Sequence, residues 1–205
     1  MDTEQVSLAG RHVRLDPLTA GDADGLRDAA TDGELWNLWF TTVPRPENMA
    51  AFVARRLDEA SAGTWVPFVV RRLPDERIVG LTNYLHLDQP NRRLEIGGTW
   101  YAASAQRTAV NTEAKLLLLT RAFETLGCYA VEFRTHLANT RSQAAIERLG
   151  AHRDGVLRRH QIMPDGHVRD TVVYSILDSE WRAIRERLQA RLADADAEPS
   201  EFGAD

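Results

Sequence analysis

The sequence predicts a mixed α/β domain of the α+β type, in which a mostly antiparallel sheet is flanked by helices and contains one parallel pair of strands. The first observation is the order of elements: strand, helix, helix, three strands, helix, strand, helix, two strands. The second is a helical segment between the strand that ends at Tyr101 and the strand that begins at Ala130, a connection typical of parallel neighbours. The third is a composition of 43% hydrophobic and 27% charged residues over 205 positions, which suits one compact domain.

The first half of the chain has the periodicity of four strands and two helices. Alternating or continuous apolar runs predict the strands, and apolar residues three and four positions apart predict the helices. The predicted strands cover residues 12–17, 65–71, 78–87 and 93–101, and the predicted helices cover residues 19–30 and 47–61. An aromatic loop that contains two prolines, residues 36–46, separates these helices. Gly97 and Gly98, paired inside a strand, predict a bulge or a close approach of another backbone.

The second half contains three helices, three strands and clear stop signals. The predicted helices cover residues 112–126, 139–149 and 181–192, one strand covers residues 130–137, and two more strands flank the hairpin turn at residues 163–166. Gly127 and Gly150 follow two of these helices as C-terminal caps, and Asn139 or Thr140 caps a helix start. We predict a single domain over residues 1–193 and an acidic, disordered tail over residues 194–205.

Composition excludes several classes of function. The lone cysteine, Cys128, cannot form an intrachain disulfide, and the first ten residues lack the basic and apolar regions of a secretion signal, so we expect a cytoplasmic protein. No stretch approaches the roughly 20 apolar residues of a membrane-spanning helix, which predicts no membrane partner. A net charge of −5 argues against nucleic-acid binding. Lys115 is the only lysine beside 24 arginines, so basic contacts with a phosphate must come almost entirely from arginine.

Residues 94–119 have the pattern of a strand, a polar turn and a helix. Backbone N–H groups in the first turn of a helix have no intrahelical partners, and together with the helix dipole they favour an anion. Such N–H groups are expected from about Arg107 to Thr112, and the Arg107 guanidinium adds a charged donor. The segment therefore predicts an anion-binding site, with a plain strand-to-helix connection as the alternative.

Residues 94–115, together with Asn139-Thr-Arg-Ser142 and Ala145-Ile-Glu-Arg-Leu-Gly150, resemble the acetyl-CoA-binding core of the GCN5-related N-acetyltransferases (GNAT). Within that family the chain is similar to the branch that contains the ribosomal-protein N-terminal acetyltransferases. The resemblance covers residues 12–181 and implies the GNAT fold, with its parallel strand pair splayed at the cofactor site. The turn departs from the family pattern at Ala109 and Asn111, where glycine or another small residue is typical, because Asn111 adds a side chain at a crowded point.

The resemblance implies acetyl-CoA as the cosubstrate and no metal. The cofactor contacts that it implies are Trp100, Tyr101, Gln106, Arg107, Thr108, Ala109, Val110, Asn111, Thr112, Asn139, Ser142, Ala145 and Arg148. Backbone N–H groups near Trp100 and Tyr101 are expected to polarise the acetyl carbonyl. Asn139 is expected to bind the pantetheine arm. The alternative for Asn139 and Ser142 is that both only cap their helix.

Acetyl transfer to an amine needs a base for the amine and a proton for the departing sulfur. Glu95 is the first candidate for the base, because it matches the glutamate of a Glu-Ile-Gly run in relatives. Asp154 and His136 compete for this role, although Asp154 could form only a turn and His136 could be a structural histidine at a strand edge. The hydroxyl of Ser142, where many relatives have a tyrosine, is the candidate proton donor to the thiolate.

The acceptor amine is the least determined part of the site. Trp36, Trp39 and Phe40 lie in the loop that lines the acceptor cleft in this family, and they could equally pack that loop onto the core. We expect a peptide or protein α-amine as the acceptor, with a small amine such as an amino acid, an antibiotic or a polyamine as the alternative. A non-catalytic acyl-CoA-binding regulator is a third hypothesis. The resemblance also makes a homodimer plausible. Three further histidines are spaced too loosely to predict a metal site: His152, His160 and His167.

Overall fold

The computed structural model describes residues 6–73, 75–163 and 165–197 of the chain. Eight strands form one sheet in the order β1-β2-β3-β4-β5-β6-β8-β7. The strands are β1 (Leu8–Ala9), β2 (Val13–Pro17), β3 (Trp65–Arg72), β4 (Ile78–Asp88), β5 (Arg93–Tyr101), β6 (Ala130–His136), β7 (His152–Ile162) and β8 (Val168–Leu177). All neighbours pair antiparallel except β5 and β6, so the predicted mixed, mostly antiparallel sheet is confirmed.

Five α-helices cover the two faces of this sheet. They are α1 (Ala23–Thr31), α2 (Met49–Ser61), α3 (Ala109–Thr120), α4 (Thr140–Leu149) and α5 (Asp178–Ala197). Leu26 of α1 and Phe52 of α2 are buried in one apolar cluster with side chains of β3 and β4. Leu118 of α3 and Leu188 of α5 are buried in a larger cluster with β6 and β8. The sheet is therefore a central layer between two groups of helices, as amphipathic helices require.

The parallel pair of strands separates after a short paired segment. Pairing between β5 and β6 runs from Arg93 opposite Ala130 to Glu95 opposite Glu132. Beyond that point, the register of β5 against β4 shifts at the paired glycines, and Gly98 has a φ of +57°. A side chain would be strained in that conformation, and a Cβ on Gly98 would lie 2.7 Å from Nδ2 of Asn83. The predicted bulge is confirmed, and it turns β5 away from β6.

The main differences from the sequence-based prediction are one additional strand and the ends of two helices. The strand β1 was not predicted. The helix expected from Thr112 begins at Ala109, because Thr108 is its N-cap, and it continues into a π-helical turn at Arg121–Thr125. The last helix was predicted as residues 181–192 but reaches Ala197, four residues into the predicted disordered tail. Asp196 is held there by ion pairs with Arg11 and His12, and residues 198–205 lie outside the described residues. Within the described ranges, no helix is long and apolar enough to cross a membrane.

Glu113, on α3, binds the backbone at the beginning of β2 through hydrogen bonds. Its buried carboxylate accepts backbone N–H groups of Arg11 (2.8 Å), His12 (2.6 Å) and Val13 (2.8 Å). A Cβ on Gly10 would overlap the carboxyl group of Glu113, so the chain must approach without a side chain there. These contacts give a structural reason for the glutamate in the Thr-Glu-Ala run.

Glu113→Gln is expected to lower the free energy of unfolding by about 2 kcal/mol, because one end of the amide would present N–H groups to backbone donors. Chemical denaturation of the variant and the wild type measures this difference. Glu186→Gln is the matched control, since Glu186 pairs with Arg182 while its side chain is 62% exposed, and we expect a change of less than about 0.5 kcal/mol. Equal effects of the two substitutions would contradict the structural role of Glu113.

Candidate functional site

A cavity of about 840 Å³ opens where β5 and β6 diverge. The bulged half of β5 and the end of β6 form two of its walls, and α3, α4 and the loop after α1 form the others. Of the predicted site residues, those that line it are Phe40, Trp100, Tyr101, Gln106, Arg107, Thr108, Asn111, Thr112, His136, Asn139, Ser142, Ala145 and Arg148. Those outside its lining are Trp36, Trp39, Glu95, Ala109, Val110 and Asp154.

The outer end of the cavity has the N-terminus of α3. The left-handed residue of this turn is Arg107, with a φ of +63°, whereas Ala109 and Asn111 are already helical. The missing glycines therefore cost no backbone strain at the positions where the family has them. Thr108 accepts the N–H of Val110 at 3.3 Å through Oγ1, so Val110 does not offer that donor to a ligand. The other N–H groups of the first turn have no intrahelical partners and remain free for an anion.

Four arginines surround this outer end. Three of them, Arg107, Arg141 and Arg148, lie in segments that the sequence singled out, and Arg141 donates to Oε1 of Gln106 at 2.6 Å. Arg191 comes from α5 and donates to the backbone oxygen of Arg148 at 3.3 Å. Sequence reasoning missed Arg191 because a surface arginine on a distant helix carries no local signal. The outer end therefore has a strong positive charge suited to phosphate groups.

Asn139 both caps α4 and lines the cavity. Its Oδ1 accepts the backbone N–H of Ser142 at 3.0 Å, which is the N-cap contact that the sequence predicts. This contact uses only the oxygen and leaves the amide nitrogen for a ligand. Capping and ligand binding are thus compatible in this residue, and Ser142 lies one turn further along the same wall.

Two residues at the inner part of the cavity carry buried polar atoms that lack protein partners. Trp100 Nε1 and Tyr101 Oη are buried without a hydrogen-bond partner anywhere in the described structure. Burial raises the pKa of the Tyr101 hydroxyl, so it remains a neutral donor. Both atoms are enclosed by protein, so neither is open to a ligand in the cavity.

Lys115 is the innermost polar residue that α3 presents to the cavity. Thr108, Asn111, Thr112 and Lys115 follow each other at helical spacing on the side that faces the cavity. The Lys115 amine donates to Oγ1 of Thr99 at 2.9 Å and contacts Oγ1 of Thr82 at 3.3 Å. No carboxylate of the described chain forms an ion pair with it, and burial lowers its pKa to about 7. The sequence analysis did not predict Lys115 as a site residue. The signal that could have indicated it is a lysine within a leucine-rich helix.

The Glu95 carboxylate is engaged by protein groups beneath the cavity. Its side chain is buried, and Oε2 lies 2.8 Å from Nδ1 of His86 and 3.3 Å from Nε of Arg134. The other oxygen lies so close to Gly97 that a Cβ there would be 2.6 Å away. The carboxylate is therefore enclosed by protein groups, and Glu95 does not line the cavity. The role of Glu95 as the base stays a prediction, and its surroundings favour a structural role.

His136, at the end of β6, belongs to an aromatic cluster beside the cavity. Its Nε2 lies 3.3 Å from Nε2 of His167, which follows the β7–β8 turn. The Trp39 ring packs edge-on against both imidazoles, with centroid distances of 5.0 Å to His136 and 5.1 Å to His167. Burial, followed by the positive charges of Arg169 and His167, lowers the pKa of His136. Trp39 thus contacts a residue that lines the cavity, His136, although it does not line the cavity itself.

The structure places Asp154 away from this cluster. Asp154 lies on the edge strand β7, where its carboxylate contacts Nδ1 of His152 at 3.3 Å and accepts from the Ser175 hydroxyl at 3.1 Å. Asp154 does not line the cavity, and its role as the base stays a prediction. Trp36 lies in a 3₁₀ turn at Leu35–Asn37 that supports the loop. Among the described residues, no three His, Cys, Asp or Glu side chains converge as metal ligands would.

Two diverging parallel strands, a helix N-terminus and an arginine-rich rim define a protein that binds an anionic ligand between strands. The model of the acetyltransferase (GNAT) domain family matches residues 12–152. The chain therefore belongs to the GNAT acetyltransferase family, as the sequence resemblance implies.

Individual relatives agree with this assignment. A curated protein of Bacillus subtilis (strain 168), described as a candidate ribosomal N-acetyltransferase and named YdaF, is 35% identical over 109 residues. That match spans 53% of this chain and 58% of the length of the relative. The crystal structure of a candidate acetyltransferase from T. thermophilus is 35% identical, with a TM-score of 0.82 over 94% of this chain and 100% of that chain. A GCN5-related N-acetyltransferase from Brucella melitensis is 30% identical, with a TM-score of 0.81 over 98% of this chain and 89% of that chain.

Proposed function

We propose that this protein is an acetyl-CoA-dependent N-acetyltransferase that acetylates the α-amine of a peptide or protein. The observation that carries the proposal is the polarity of the cavity along its length. Its outer end has free helix N–H groups and four arginines, and the α4 wall presents the amide nitrogen of Asn139, whose oxygen alone is used by the helix cap. A ligand with phosphates at one end and an amide-containing acyl arm at the other fits this order. Acetyl-CoA is such a ligand, and it supplies the acetyl group as a thioester.

In the proposed complex, different residues along the cavity bind different parts of acetyl-CoA. The first turn of α3 and Arg107 hold the pyrophosphate, while Arg148 and Arg191 hold the remaining phosphate charge. The free amide nitrogen of Asn139 binds the pantetheine arm. Backbone N–H groups of the bulged strand near Trp100 and Tyr101 polarise the acetyl carbonyl. The Ser142 hydroxyl, on the α4 wall, stays our candidate to protonate the departing sulfur.

The acceptor enters from the side of Phe40 and His136. The Bacillus subtilis relative is named as a ribosomal N-acetyltransferase, and this name supports a ribosomal protein as the acceptor class. A small amine, such as an amino acid, an antibiotic or a polyamine, is the alternative acceptor. A cytoplasmic location and a homodimer stay predictions from the composition and the family resemblance.

Two measurements test the proposed function. CoA and acetyl-CoA are expected to raise the melting temperature, since a ligand at 100 times its Kd stabilises by about 2.7 kcal/mol. Release of free CoA thiol is then followed with acetyl-CoA and a panel of peptides with ribosomal-protein N-termini, amino acids, polyamines and aminoglycosides. We expect faster release with the peptides. Faster release with small amines would favour the alternative acceptor, and a thermal shift without thiol release would favour an acyl-CoA-binding regulator. The absence of a thermal shift would contradict all three.

A further inference from the structure

The turn between β7 and β8 brings a carboxylate to the histidine cluster. Asp165 Oδ1 accepts from Nδ1 of His167 at 2.7 Å, and the same oxygen accepts the backbone N–H of His167 at 3.2 Å. The far nitrogen of the His167 ring, Nε2, faces Nε2 of His136 across 3.3 Å. Asp165, the His167 ring and His136, which lines the cavity, thus lie in line, and a carboxylate behind an imidazole is the arrangement that orients a histidine base.

The hydrogen bonds determine which nitrogen carries a proton on each ring. Nδ1 of His136 accepts the backbone N–H of Ala138 at 2.9 Å, so a neutral His136 carries its proton on Nε2. That proton points at Nε2 of His167, which must therefore be the unprotonated, basic nitrogen. The proton of His167 is on Nδ1 and is donated to Asp165. The lone pair of His136 is occupied by the backbone, whereas the lone pair of His167 accepts from Nε2 of His136, a residue that lines the cavity.

We propose that His167, oriented by Asp165, is the general base that takes the proton of the acceptor amine, and that the Nε2–H of His136 orients the His167 ring from the other side. The proposal rests on the proposed function and deepens it. An amine that approaches Nε2 of His167 replaces its contact with His136: one N–H group of the amine donates to His167, and the lone pair of the amine stays free to attack the thioester. Trp39 closes the outer side of this position, because its ring contacts both imidazoles.

The charges around the pair support these roles. Burial and the positive charge of Arg169 lower the pKa of His136, while Asp170 acts in the opposite direction, so His136 remains the neutral donor. His167 has the Asp165 carboxylate on one side, the His136 ring on the other and the Trp39 ring over its face. The carboxylate stabilises the imidazolium that forms when His167 takes a proton. His160, on β7, contacts the hydroxyl of Thr171 through Nδ1.

The proposed acetyl transfer has the following bond changes and proton movements. The neutral amine nitrogen attacks the thioester carbonyl carbon, the new C–N bond replaces the C–S bond, and the thiolate leaves. The proton lost by the nitrogen passes to Nε2 of His167 and then to solvent. The thiolate takes up one proton, so the products are the acetylated amine and the CoA thiol.

The test compares variants in steady-state kinetics with acetyl-CoA and the fastest amine of the panel. His167→Ala is expected to lower kcat/KM by about 10²- to 10³-fold and to remove the rise of kcat/KM with increasing pH. Added imidazole is expected to restore at least about tenfold of the activity of His167→Ala, an effect that a structural residue would not show. Asp165→Asn is expected to lose less, about tenfold, because the ring remains but its orientation is weakened. The CoA-induced thermal shift should persist in each variant.

His152→Ala is the matched control, since His152 lies at the other end of β7 with a side chain that is 75% exposed, and its kcat/KM should equal that of the wild type. Retention of kcat/KM within about twofold in His167→Ala, or a failure of imidazole to rescue, would overturn the proposal. A second test needs no turnover: ¹⁵N NMR of the histidine rings should find the proton of His167 on Nδ1 and that of His136 on Nε2. The opposite tautomer of His167 would overturn the dyad even if the protein is an acetyltransferase.

Discussion

Lys115→Met is expected to stabilise the protein below neutral pH, by on the order of 3 kcal/mol near pH 6. The amine is buried, lacks an ion-pair partner among the described residues, and has a pKa lowered to about 7 by burial. At a pH below this value the folded protein must keep a charge away from water. Methionine has a similar length and carries no charge, and the Thr82 and Thr99 hydroxyls still bond each other at 2.8 Å.

The sign of the pH dependence follows from the two pKa values of Lys115. In the unfolded chain the amine has a pKa of about 10.4, so between about pH 7 and pH 10.4 the unfolded state holds a proton that the folded state has released. The stability contribution of Lys115 therefore rises with pH in this window, by up to about 1.4 kcal/mol per pH unit. The variant loses this rise, and its advantage over the wild type should shrink as the pH increases.

Urea denaturation of the wild type and of Lys115→Met at several values between about pH 6 and pH 10 measures both effects. Since Lys115 is the only lysine, ε-¹³C labelling of lysine gives a single NMR signal, whose titration reports its pKa directly. Arg182→Met, at a side chain that is 89% exposed, is the control for removal of a cation and should change stability by less than about 0.5 kcal/mol at every pH. A stability difference that does not vary with pH would contradict the lowered pKa.

Ala109→Pro is expected to weaken CoA binding by about tenfold or more without unfolding α3. Ala109 is the first residue of the helix, where proline fits because no intrahelical hydrogen bond is lost. Thr108 has a φ of −109° and a ψ of −178°, an extended conformation that the residue before a proline can adopt. The substitution therefore deletes one N–H group from the proposed pyrophosphate site. A hydrogen bond to a charged acceptor contributes about 1.5–3 kcal/mol, which sets the size of the effect.

Isothermal titration with CoA measures the Kd, and far-UV circular dichroism verifies that the helix content is unchanged. Ala109→Ser is the matched control, because it changes the same side chain but keeps the N–H group, and its Kd should stay within about twofold of the wild type. If proline and serine had equal effects on the Kd, the backbone of this turn would not bind the phosphates. Such a result would leave the family assignment intact and place the pyrophosphate elsewhere in the cavity.

The segments that the sequence predicted best are those whose signals are local. The strand at Arg93–Tyr101 was predicted to the residue, and the paired glycines within it predicted the bulge that Gly98 forms with a φ of +57°. Gly150 ends α4 with a φ of +94°, as a C-terminal cap requires. Strand alternation, helical periodicity and caps all depend on residues within about four positions of each other, so a single sequence contains them in full.

The two helix ends that were predicted wrongly, the start of α3 and the end of α5, have a common physical cause. The helix α3 was predicted to begin too late, because Arg107 and not a glycine adopts the left-handed conformation before it. The helix α5 was predicted to end too early, because ion pairs of Asp196 with Arg11 and His12, far away in the chain, hold its last turn. In both places a contact or conformation that no local pattern encodes decided the boundary.

The sequence by itself determined the fold class, the family and the strand-turn-helix segment at residues 94–119, since these depend on periodicity and on a contiguous motif. Only the tertiary structure decided which polar groups act together. It paired Glu95 with Arg134 and His86, buried Lys115 without a counterion among the described residues, and placed Asp165 and His167 beside His136, 31 residues away from His167 in the sequence. The chemistry of a site depends on distances of about 3 Å between atoms, and such distances between remote residues are set by the packing of the sheet and its loops.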